Sequence, residues 1–330
     1  MLLTARSPFR ISFFGGGTDY PEYFTKHKGA VLGMAINKYI YISSLRLSST
    51  IDYNYRLSYS KIETVKNIKD IQHPVVREAI QYYNYDVPLD LSVMADLPSR
   101  SGLGSSSSFT TALIKLIHTL QGRNITKLDL AKQAVFIERD LLKENVGVQD
   151  QFHAAFGGIN RFEFSEKRTM ITPVEMTTAC LDALSTSLFL IFTGVTRFAS
   201  LTLDEQMTKT KSGSNDSDLS HLLTLTNQAL DVLESDDPDR MLKDLGQMLH
   251  EGWETKKRLS SRVSNPQIDT LYEKARAAGA LGGKLCGAGS GGFLLMLIPP
   301  QNQPAFMADF AGIPVIPVMP DTTGTTIISA

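Results

Sequence analysis

The stretch that decides the fold is LPSRSGLGSSSSFTTALIKLIHTLQ, residues 97–121. Its second half predicts an amphipathic helix from Ser105, because apolar side chains recur at helical spacing and would share one buried face. These side chains are Phe109, Ala112, Leu113, Leu116, Ile117 and Leu120. The first half is a loop of glycines and serines, which leaves only small side chains around the amino end of the helix. Free N–H groups and the positive end of the helix dipole make such an end suitable for a phosphate.

This loop by itself fits two interpretations, a phosphate site or an ordinary helix start capped by serine. Two known phosphate-binding loops are excluded. A Walker loop has Lys and then Ser or Thr after its last glycine, whereas Gly104 is followed by serines. A dinucleotide-binding loop needs a third glycine where Ser107 stands. The function must therefore be inferred from several stretches together.

The chain has 330 residues, which is long for a single core, and we predict two domains, 1–186 and 187–330. Strands and helices alternate without the regular rhythm of a doubly wound sheet, so the predicted fold class is α+β. The predicted strands are 2–14, 30–46, 52–60, 89–95, 159–164, 170–174, 188–192 and 293–298. The predicted helices are 74–83, 105–121, 126–145, 219–234, 238–260 and 265–279. The polar, turn-rich segment 206–220 is expected to be an exposed loop.

Composition and charge give no support to several classes of protein. Hydrophobic residues make up 42% of the chain and charged residues 20%, as in ordinary soluble globular proteins. The net charge of -1 gives no support to a nucleic-acid partner. Two cysteines are too few for a disulfide framework and lack metal-binding spacing. The amino terminus is too short and polar for a signal peptide and no apolar run reaches membrane-spanning length, so we expect a cytoplasmic protein without a membrane partner.

Glu138 is an unusual residue, because it falls on the apolar face of the helix predicted over 126–145. An ionised group is rarely buried without a partner or a metal ion. Pairing with Arg139 and a position at the edge of the apolar face are alternatives that the sequence leaves open. A predicted turn that contains Asp150 follows this helix.

Two other stretches are rich in glycine. Gly15–Gly17 precede Thr18 and Asp19, so the backbone can approach a ligand beside a hydroxyl and a carboxylate. GALGGKLCGAGSGG, residues 279–292, contains seven glycines before a predicted strand and allows a second close approach.

Three stretches match the motifs of one family, in order, over nearly the whole chain. They are RISFFGGGTDY at 10–20, PSRSGLGSSSS at 98–108 and KLCGAGSGGF at 284–293. The sequence therefore resembles the GHMP small-molecule kinases, named for galactokinase, homoserine kinase, mevalonate kinase and phosphomevalonate kinase. The resemblance implies an amino-terminal domain like ribosomal protein S5 and a ferredoxin-like carboxy-terminal domain. It also implies an active site between the domains that uses ATP and Mg²⁺.

Additional stretches resemble the bacterial kinases that phosphorylate C1 of D-glycero-D-manno-heptose 7-phosphate. They lie at 147–164, 192–200, 253–264 and 279–293, and fucokinases and other sugar kinases share parts of them. The resemblance implies ATP and a small-molecule sugar phosphate as partners, with fucose as the rival acceptor. A sugar-binding regulator that has lost catalysis is the alternative of another class. The oligomeric state is left open, with a homodimer as one option.

The resemblance assigns the nucleotide and the metal ion to the serine loop. The ATP phosphates would be wrapped by Pro98, Arg100, Ser101, Gly102, Leu103, Gly104, Ser105, Ser106, Ser107 and Ser108. Mg²⁺ would be held by Ser106 and Glu138, with Ser105 as the alternative serine. Phosphate and water oxygens would complete the shell of this hard ion.

The resemblance makes Asp150 the base for the acceptor hydroxyl and Arg10 the cation beside it. A carboxylate is too weak a base to deprotonate a sugar in the ground state. Asp150 would therefore take the proton late in a loose phosphoryl transfer.

The sugar would be bound by residues of the first and third motifs and by one arginine between them. They are Thr18, Asp19, Tyr20, Gly287, Gly289 and Arg197. Arg100, Lys256 and Lys257 are further candidates for a sugar phosphate, although both lysines are expected on the solvated surface. His153 is expected to pack or form a hydrogen bond rather than act as a catalyst.

Overall fold

The computed structural model describes residues 2–194 and 200–328 and has an α+β fold, as predicted. The strands are β1 (Leu2–Phe14), β2 (Gly29–Arg46), β3 (Tyr55–Ser58), β4 (Ile62–Val65), β5 (Leu89–Ala95), β6 (Ile159–Phe164), β7 (Thr169–Pro173), β8 (Leu188–Phe192), β9 (Gly282–Leu285), β10 (Phe293–Leu297), β11 (Val315–Pro317) and β12 (Thr326–Ile328). The helices are α1 (Pro21–His27), α2 (Pro74–Tyr82), α3 (Ser105–Leu120), α4 (Lys127–Val135), α5 (Gln149–Phe156), α6 (Thr178–Ser187), α7 (Ser200–Lys211), α8 (Asp216–Leu233), α9 (Pro238–Leu259), α10 (Pro266–Ala277) and α11 (Gln303–Asp309).

The first sheet is built on the long strand β2. Strand β1 pairs antiparallel with β2, and the register shifts after Pro8. On its other side, β2 pairs with β6 through residues 29–34 and with β5 through residues 40–46. The sheet order is β12-β1-β2-β5-β3-β4, with β6 and β7 extending from the first half of β2. One strand thus supports both arms of the sheet.

The second sheet has the order β11-β8-β10-β9, and its pairings are antiparallel. Strand β8 comes first among these strands in the sequence and begins at Leu188. This residue is close to the predicted domain boundary between residues 186 and 187, and the boundary itself stays a prediction. The last strand, β12, returns to the first sheet and pairs with β1, and Pro320 forms a bridge to Ile36. This tail covers an edge of the first sheet that would otherwise be exposed.

Helix α3 lies at the centre of the main core. It begins at Ser105, as predicted, and packs against β1, β2, α4 and α5. The predicted apolar face is confirmed, because its central residues have no exposed surface: Ala112, Leu113, Leu116 and Ile117. Each large side chain buried in this way stabilises the fold by roughly 1.5–3 kcal/mol. The core therefore fixes the position of the amino end of α3.

Three local predictions are wrong. Asp150, predicted to lie in a turn, lies in the first turn of helix α5. The polar segment 206–220 is mostly helical, because α7 runs to Lys211 and α8 begins at Asp216. Gln206 and Met207 of α7 are buried, so tertiary packing outweighs the polar composition of the segment. The α-helix predicted over 126–145 ends at Val135 and continues as a π-helical segment, Phe136–Leu141, which contains Glu138.

Candidate active site

A pocket opens at the amino end of α3, where the glycine-rich loops of the two halves of the chain meet. All three motifs line it: Arg10, Gly17 and Asp19 from the first, Gly102, Gly104, Ser105 and Ser106 from the second, and Lys284 and Gly287 from the third. The first turn of α5 adds Gln149 and Asp150, and α7 adds Leu203 and Gln206. The chain therefore brings the three separated motifs to one place.

The amino end of α3 presents its backbone to the pocket. Gly104 precedes the helix with a left-handed φ of 75°, and no side chain of the described residues caps this end. A β-carbon on Gly104 would lie 3.2 Å from Arg10 Cγ and 3.3 Å from Asp150 Oδ2, so glycine leaves room beside both groups. The uncapped N–H groups and the helix dipole are available to an anion.

The serines at 105–108 face in two directions. The first two line the pocket. The hydroxyl of Ser107 donates to Glu138 Oε2 at 2.9 Å, and the hydroxyl of Ser108 donates to Pro8 O at 2.7 Å. The first pair is thus placed to meet a phosphate, whereas the second pair ties α3 to its neighbours.

The second and third motifs touch backbone to backbone. A β-carbon on Gly102 would lie 2.4 Å from Cys286 O, and one on Gly287 would lie 2.5 Å from Gly102 Cα. Both positions also have positive φ, so glycine is required on two grounds. Gly289 lies against Val263, where a β-carbon would come within 2.7 Å of Cα, and it does not line the pocket.

Arg10 and Asp150 form a two-armed ion pair in the wall of the pocket. Arg10 Nε donates to Asp150 Oδ1 and Arg10 Nη2 donates to Asp150 Oδ2, both at 2.8 Å. Arg10 Nη1 donates to Gly102 O at 2.7 Å, which links the pair to the serine loop. The Arg10 side chain is 6% exposed and that of Asp150 is 25% exposed, so the carboxylate is the more accessible partner. The bidentate geometry fixes its orientation.

Asp19 is a second carboxylate in the same pocket. The Gly17 N–H donates to Asp19 Oδ1 at 2.9 Å, and the Gln149 N–H donates to Oδ2 at 3.3 Å. Burial raises the pKa of Asp19, the Gly17 N–H offsets part of that effect, and the negative charge of Asp150 raises the pKa further. A β-carbon on Gly147 would lie 2.0 Å from Asp19 Oδ2, so this carboxylate leaves no space for a side chain there.

Thr18 and Tyr20, which flank Asp19, have different environments. Thr18 is buried, and its hydroxyl oxygen lies 2.8 Å from Gly15 O and 2.9 Å from Ala30 O, either of which can accept its proton. It holds the glycine turn and does not line the pocket. Tyr20 does line the pocket, and burial raises the pKa of its hydroxyl.

Glu138 is fully buried in the π-helical segment and faces α3. Its Oε2 accepts from Ser107 Oγ and from Gln151 Nε2, at 2.9 Å and 2.5 Å. The nearby hydroxyl of Thr110 donates to Ser106 O, and Oε1 of Glu138 has no hydrogen-bond partner in the described structure. Burial raises the pKa of Glu138 to about 7, although its hydrogen bonds oppose this shift. The alternative of a pair with Arg139 is wrong, because that arginine bonds to Glu22.

Lys256 was expected on the solvated surface, and this prediction is wrong. It is 8% exposed, lines the pocket, and donates through Nζ to Leu285 O at 3.2 Å and to Gly287 O. Lys257, one position along α9, has a side chain that is 28% exposed and pairs with Glu254. Neighbouring positions on a helix point in directions about 100° apart, which accounts for the difference.

Several predicted site residues lie beside the pocket rather than in its wall. Pro98 and Arg100 line an adjoining cleft that also contains Ser105 and Ser106. Ser101 and Leu103 are buried beneath the loop. His153 is buried without a hydrogen-bond partner in the described structure, and burial lowers its pKa to about 3, so it packs as a neutral ring. Arg197 lies outside the described residues.

Sequence reasoning missed several residues of the pocket wall. Gln149, Gln206 and Lys284 all line it. Lys284 had a signal, because it is the single charge in a long stretch of glycine and apolar residues. The two glutamines had none.

Comparison with known proteins identifies the family. The family model described as GHMP kinases N terminal domain matches residues 68–158, and the one described as GHMP kinases C terminal matches residues 238–313. A D-glycero-alpha-D-manno-heptose 7-phosphate kinase of Campylobacter jejuni is 30% identical over 317 residues, which are 91% of this chain and 91% of that protein. The chain belongs to the GHMP kinase family.

Other GHMP kinases agree with this assignment. A galactokinase of Thermotoga maritima is 30% identical over 173 residues, which are 51% of this chain and 47% of that protein. The crystal structure of a D-glycero-D-manno-heptose 1-phosphate kinase from Bacteroides thetaiotaomicron has a TM-score of 0.75 and 23% identity. It matches over 100% of this chain and 99% of that one, and so shares the fold.

This GHMP kinase is therefore an ATP-dependent sugar phosphotransferase, as predicted. Its α+β fold with two GHMP domains is likewise confirmed. None of the helices that the structure describes is long and apolar enough to cross a membrane.

Proposed function

We propose that this GHMP kinase transfers the γ-phosphoryl group of ATP to the C1 hydroxyl of D-glycero-D-manno-heptose 7-phosphate. The product would be heptose 1,7-bisphosphate, a precursor of nucleotide-activated heptose. The observation that carries the proposal is the Arg10–Asp150 pair beside the uncapped end of α3. A proton acceptor next to a phosphate site is what phosphoryl transfer from ATP requires.

The nucleotide would extend across two adjoining cavities. Ser105 and Ser106 line both the pocket and the neighbouring cleft. The cleft has an aromatic wall, in which the His73 ring stacks on Phe109 at 4.7 Å and Tyr59 meets His73 edge-on at 4.9 Å. Such a wall suits a nucleobase. We assign the adenosine to this cleft and the triphosphate to the end of α3.

The acceptor hydroxyl would lie between Asp150 and the γ-phosphate. Its oxygen bonds to phosphorus while the bond to the bridging oxygen breaks, and ADP leaves with that electron pair. The hydroxyl proton passes to the Asp150 carboxylate late in the transfer, so a weak base is sufficient. Arg10 holds the carboxylate in position and offsets negative charge near it. Asp19 would accept hydrogen bonds from sugar hydroxyls.

The residues near α3 fit Mg²⁺. Oε1 of Glu138 is buried without a partner, and an orphaned carboxylate oxygen is a suitable ligand for a cation. The described residues contain no group of three His, Cys, Asp or Glu side chains that could hold a metal ion alone. Phosphate and water oxygens would therefore have to complete the shell of the ion. Ser106 lines the pocket, whereas Glu138 is buried behind it and meets Ser107, so the ion would have to lie between Ser106 and the buried carboxylate. The ion would neutralise charge on the β- and γ-phosphates.

The acceptor is tested with the purified protein, ATP, Mg²⁺ and a panel of sugars and sugar 7-phosphates. ADP release identifies the acceptor, and phosphorus NMR of the product identifies the phosphorylated carbon. We expect the heptose 7-phosphate to have the highest kcat/KM and to gain an anomeric phosphate. If free fucose is used and the heptose 7-phosphate is not, the proposed acceptor is wrong although the kinase assignment stands. Sugar binding without ADP release from any acceptor would favour a regulator.

A further inference from the structure

Two buried lysines in the pocket have no role in the reaction described above. Lys256 on α9 is 8% exposed and Lys284 on β9 is 7% exposed, and both line the pocket. The hydrogen-bond acceptors of both ammonium groups within residues 2–194 and 200–328 are backbone carbonyls rather than carboxylates. Burying two cations near each other without a counter-ion is unfavourable. A ligand that brings negative charge would remove this cost.

Each ammonium group keeps hydrogen-bonding capacity. Lys256 Nζ donates to Leu285 O at 3.2 Å and to Gly287 O, and Lys284 Nζ donates to Phe13 O at 3.0 Å. Because an ammonium group has three N–H bonds, one remains on Lys256 and two remain on Lys284 without a protein acceptor in the described structure. Both side chains reach the pocket wall, so these donors are available to a ligand.

The electrostatic environment of the two lysines also favours binding of an anion. Burial lowers the pKa of Lys256 to about 8, while Cys286 and Asp19 act to raise it and Arg10 acts to lower it. Burial and the charge of Lys256 together hold the pKa of Lys284 well below its ordinary value. A dianion bound between the two lysines would favour the charged form of both.

Lys284 lies on the acceptor side of the pocket, and Lys256 lies between it and the contact of Gly287 with the serine loop. Lys284 reaches Phe13, which stands just before the Gly15–Gly17 turn, and the Gly17 N–H in turn holds Asp19. Asp19 also acts electrostatically on both lysines. The nucleotide, in contrast, is assigned to the end of α3 and the cleft beyond it.

We propose that Lys256 and Lys284 form the subsite that binds the phosphate group of the sugar phosphate acceptor. This inference rests on the proposed function and names the residues that would select a phosphorylated sugar. A lysine ammonium recognises phosphate as a point charge with several donors, which fits two side chains converging on one dianion. The γ-phosphate of ATP offers the same chemistry, so the test must separate the two phosphates.

The test compares Lys256→Met and Lys284→Met with Lys257→Met, a control on the same helix that lies outside the pocket. The KM for ATP and the kcat/KM for heptose 7-phosphate and for the same heptose without phosphate are measured. Loss of one charge-assisted contact should lower kcat/KM for heptose 7-phosphate about 10- to 100-fold. The ratio of kcat/KM for heptose 7-phosphate to kcat/KM for the unphosphorylated heptose should therefore fall toward one. The KM for ATP should stay within about twofold in every variant, since the lost contact is to the sugar.

The kinetics of the variants separate a sugar-phosphate subsite from a nucleotide site and from a structural role. A raised KM for ATP with an unchanged sugar preference would assign the lysines to the nucleotide and overturn the inference. Unchanged kinetics in both pocket variants would leave them a purely structural role and also overturn it. If the wild-type enzyme itself shows no preference for the phosphorylated heptose, the proposed function fails first. That failure is visible before any variant is made.

A measurement on the wild-type protein covers the case in which a variant does not fold. Calorimetric titration with heptose 7-phosphate at pH 8.5, in two buffers of different ionisation enthalpy, gives the number of protons taken up. Because Lys256 is partly neutral at this pH, binding of the dianion should draw a fraction of a proton onto the protein. The unphosphorylated heptose should draw none. Equal heats in both buffers for heptose 7-phosphate would contradict the subsite.

Discussion

Asp150→Asn is the most informative substitution, because it changes the proposed base while keeping its shape. Both carboxylate oxygens of Asp150 accept from Arg10 at 2.8 Å. The Asn amide keeps one acceptor and places an NH₂ group against the other Arg10 donor. The proton acceptor for the sugar hydroxyl is lost, which should lower kcat by roughly 10²–10⁴, or about 3–5 kcal/mol in the barrier.

The stability effect should be small by comparison. Arg10 keeps its bond to Gly102 O, and the Asp150 side chain is partly exposed, so we expect a loss of roughly 1 kcal/mol in the free energy of unfolding. The assay is ADP release at saturating heptose 7-phosphate, with ATP affinity measured by calorimetry and stability by urea unfolding. Asp140→Asn, at an exposed position of the π-helical segment, is the control. Near-normal turnover of a folded Asp150→Asn protein would remove Asp150 from the role of base.

Three further predictions address the metal, the packing of α9 and a buried histidine. Glu138→Gln should raise the Mg²⁺ concentration needed for half-maximal activity, and an unchanged metal titration would indicate a structural glutamate. Gly252→Ala should stabilise the protein by about 0.5–1 kcal/mol, because its β-carbon would meet ordinary contacts at 3.6 Å or more. Gly246→Ala on the same helix should destabilise it, because its β-carbon would lie 2.5 Å from Leu281 Cβ; urea unfolding of both tests the pair, and equal effects would contradict it. The pKa of His153 is lowered to about 3, so its stabilising contribution is full above pH 6.5 and is lost as the pH falls toward 3. His153→Met should therefore gain about 2 kcal/mol relative to wild type between pH 8 and pH 5. A pH-independent difference in unfolding free energy would contradict this.

Local signals predicted the elements that depend on local sequence. The spacing of apolar residues from Phe109 onward predicted helix α3, which begins at Ser105 as expected. The strand predicted over 89–95 is observed with the same bounds. The helix predicted from residue 126 is observed at its start, because the Thr126 hydroxyl accepts from the Asp129 N–H at 3.1 Å and caps α4. Backbone conformation at such sites depends on neighbours within a few residues, so the sequence contains the necessary information.

Features that depend on distant partners could not be predicted in this way. The burial of Lys256 depends on the carbonyls of Leu285 and Gly287, about thirty positions further along the chain. Helix α7 is polar in composition and is held by burial of Gln206 and Met207 against other elements. The polarity of a residue or segment predicts its solvent exposure only on average, so it predicted exposure for Lys256 and for helix α7, which are buried or partly buried.

The candidate site shows the same division. Motif resemblance named Arg10 and Asp150 together, but their bidentate contact joins residues 140 positions apart and had to be seen in the fold. The sequence assigned the four serines to the phosphate and metal site. Which of their hydroxyl groups reaches Glu138, however, depends on how α3 is rotated about its axis. The structure places Ser107 there and turns Ser106 toward the pocket. The assignment of Ser106 to Mg²⁺ stays a prediction.

The contact between the second and third motifs limits which residues the pocket can accept. Gly102 and Gly287 meet without space for a β-carbon, and the Phe293 N–H donates to Ser101 O at 3.3 Å beside them. A side chain at either position would push the two motifs apart, and both motifs line the same pocket. The shape of this pocket thus depends on two residues that have no side chain.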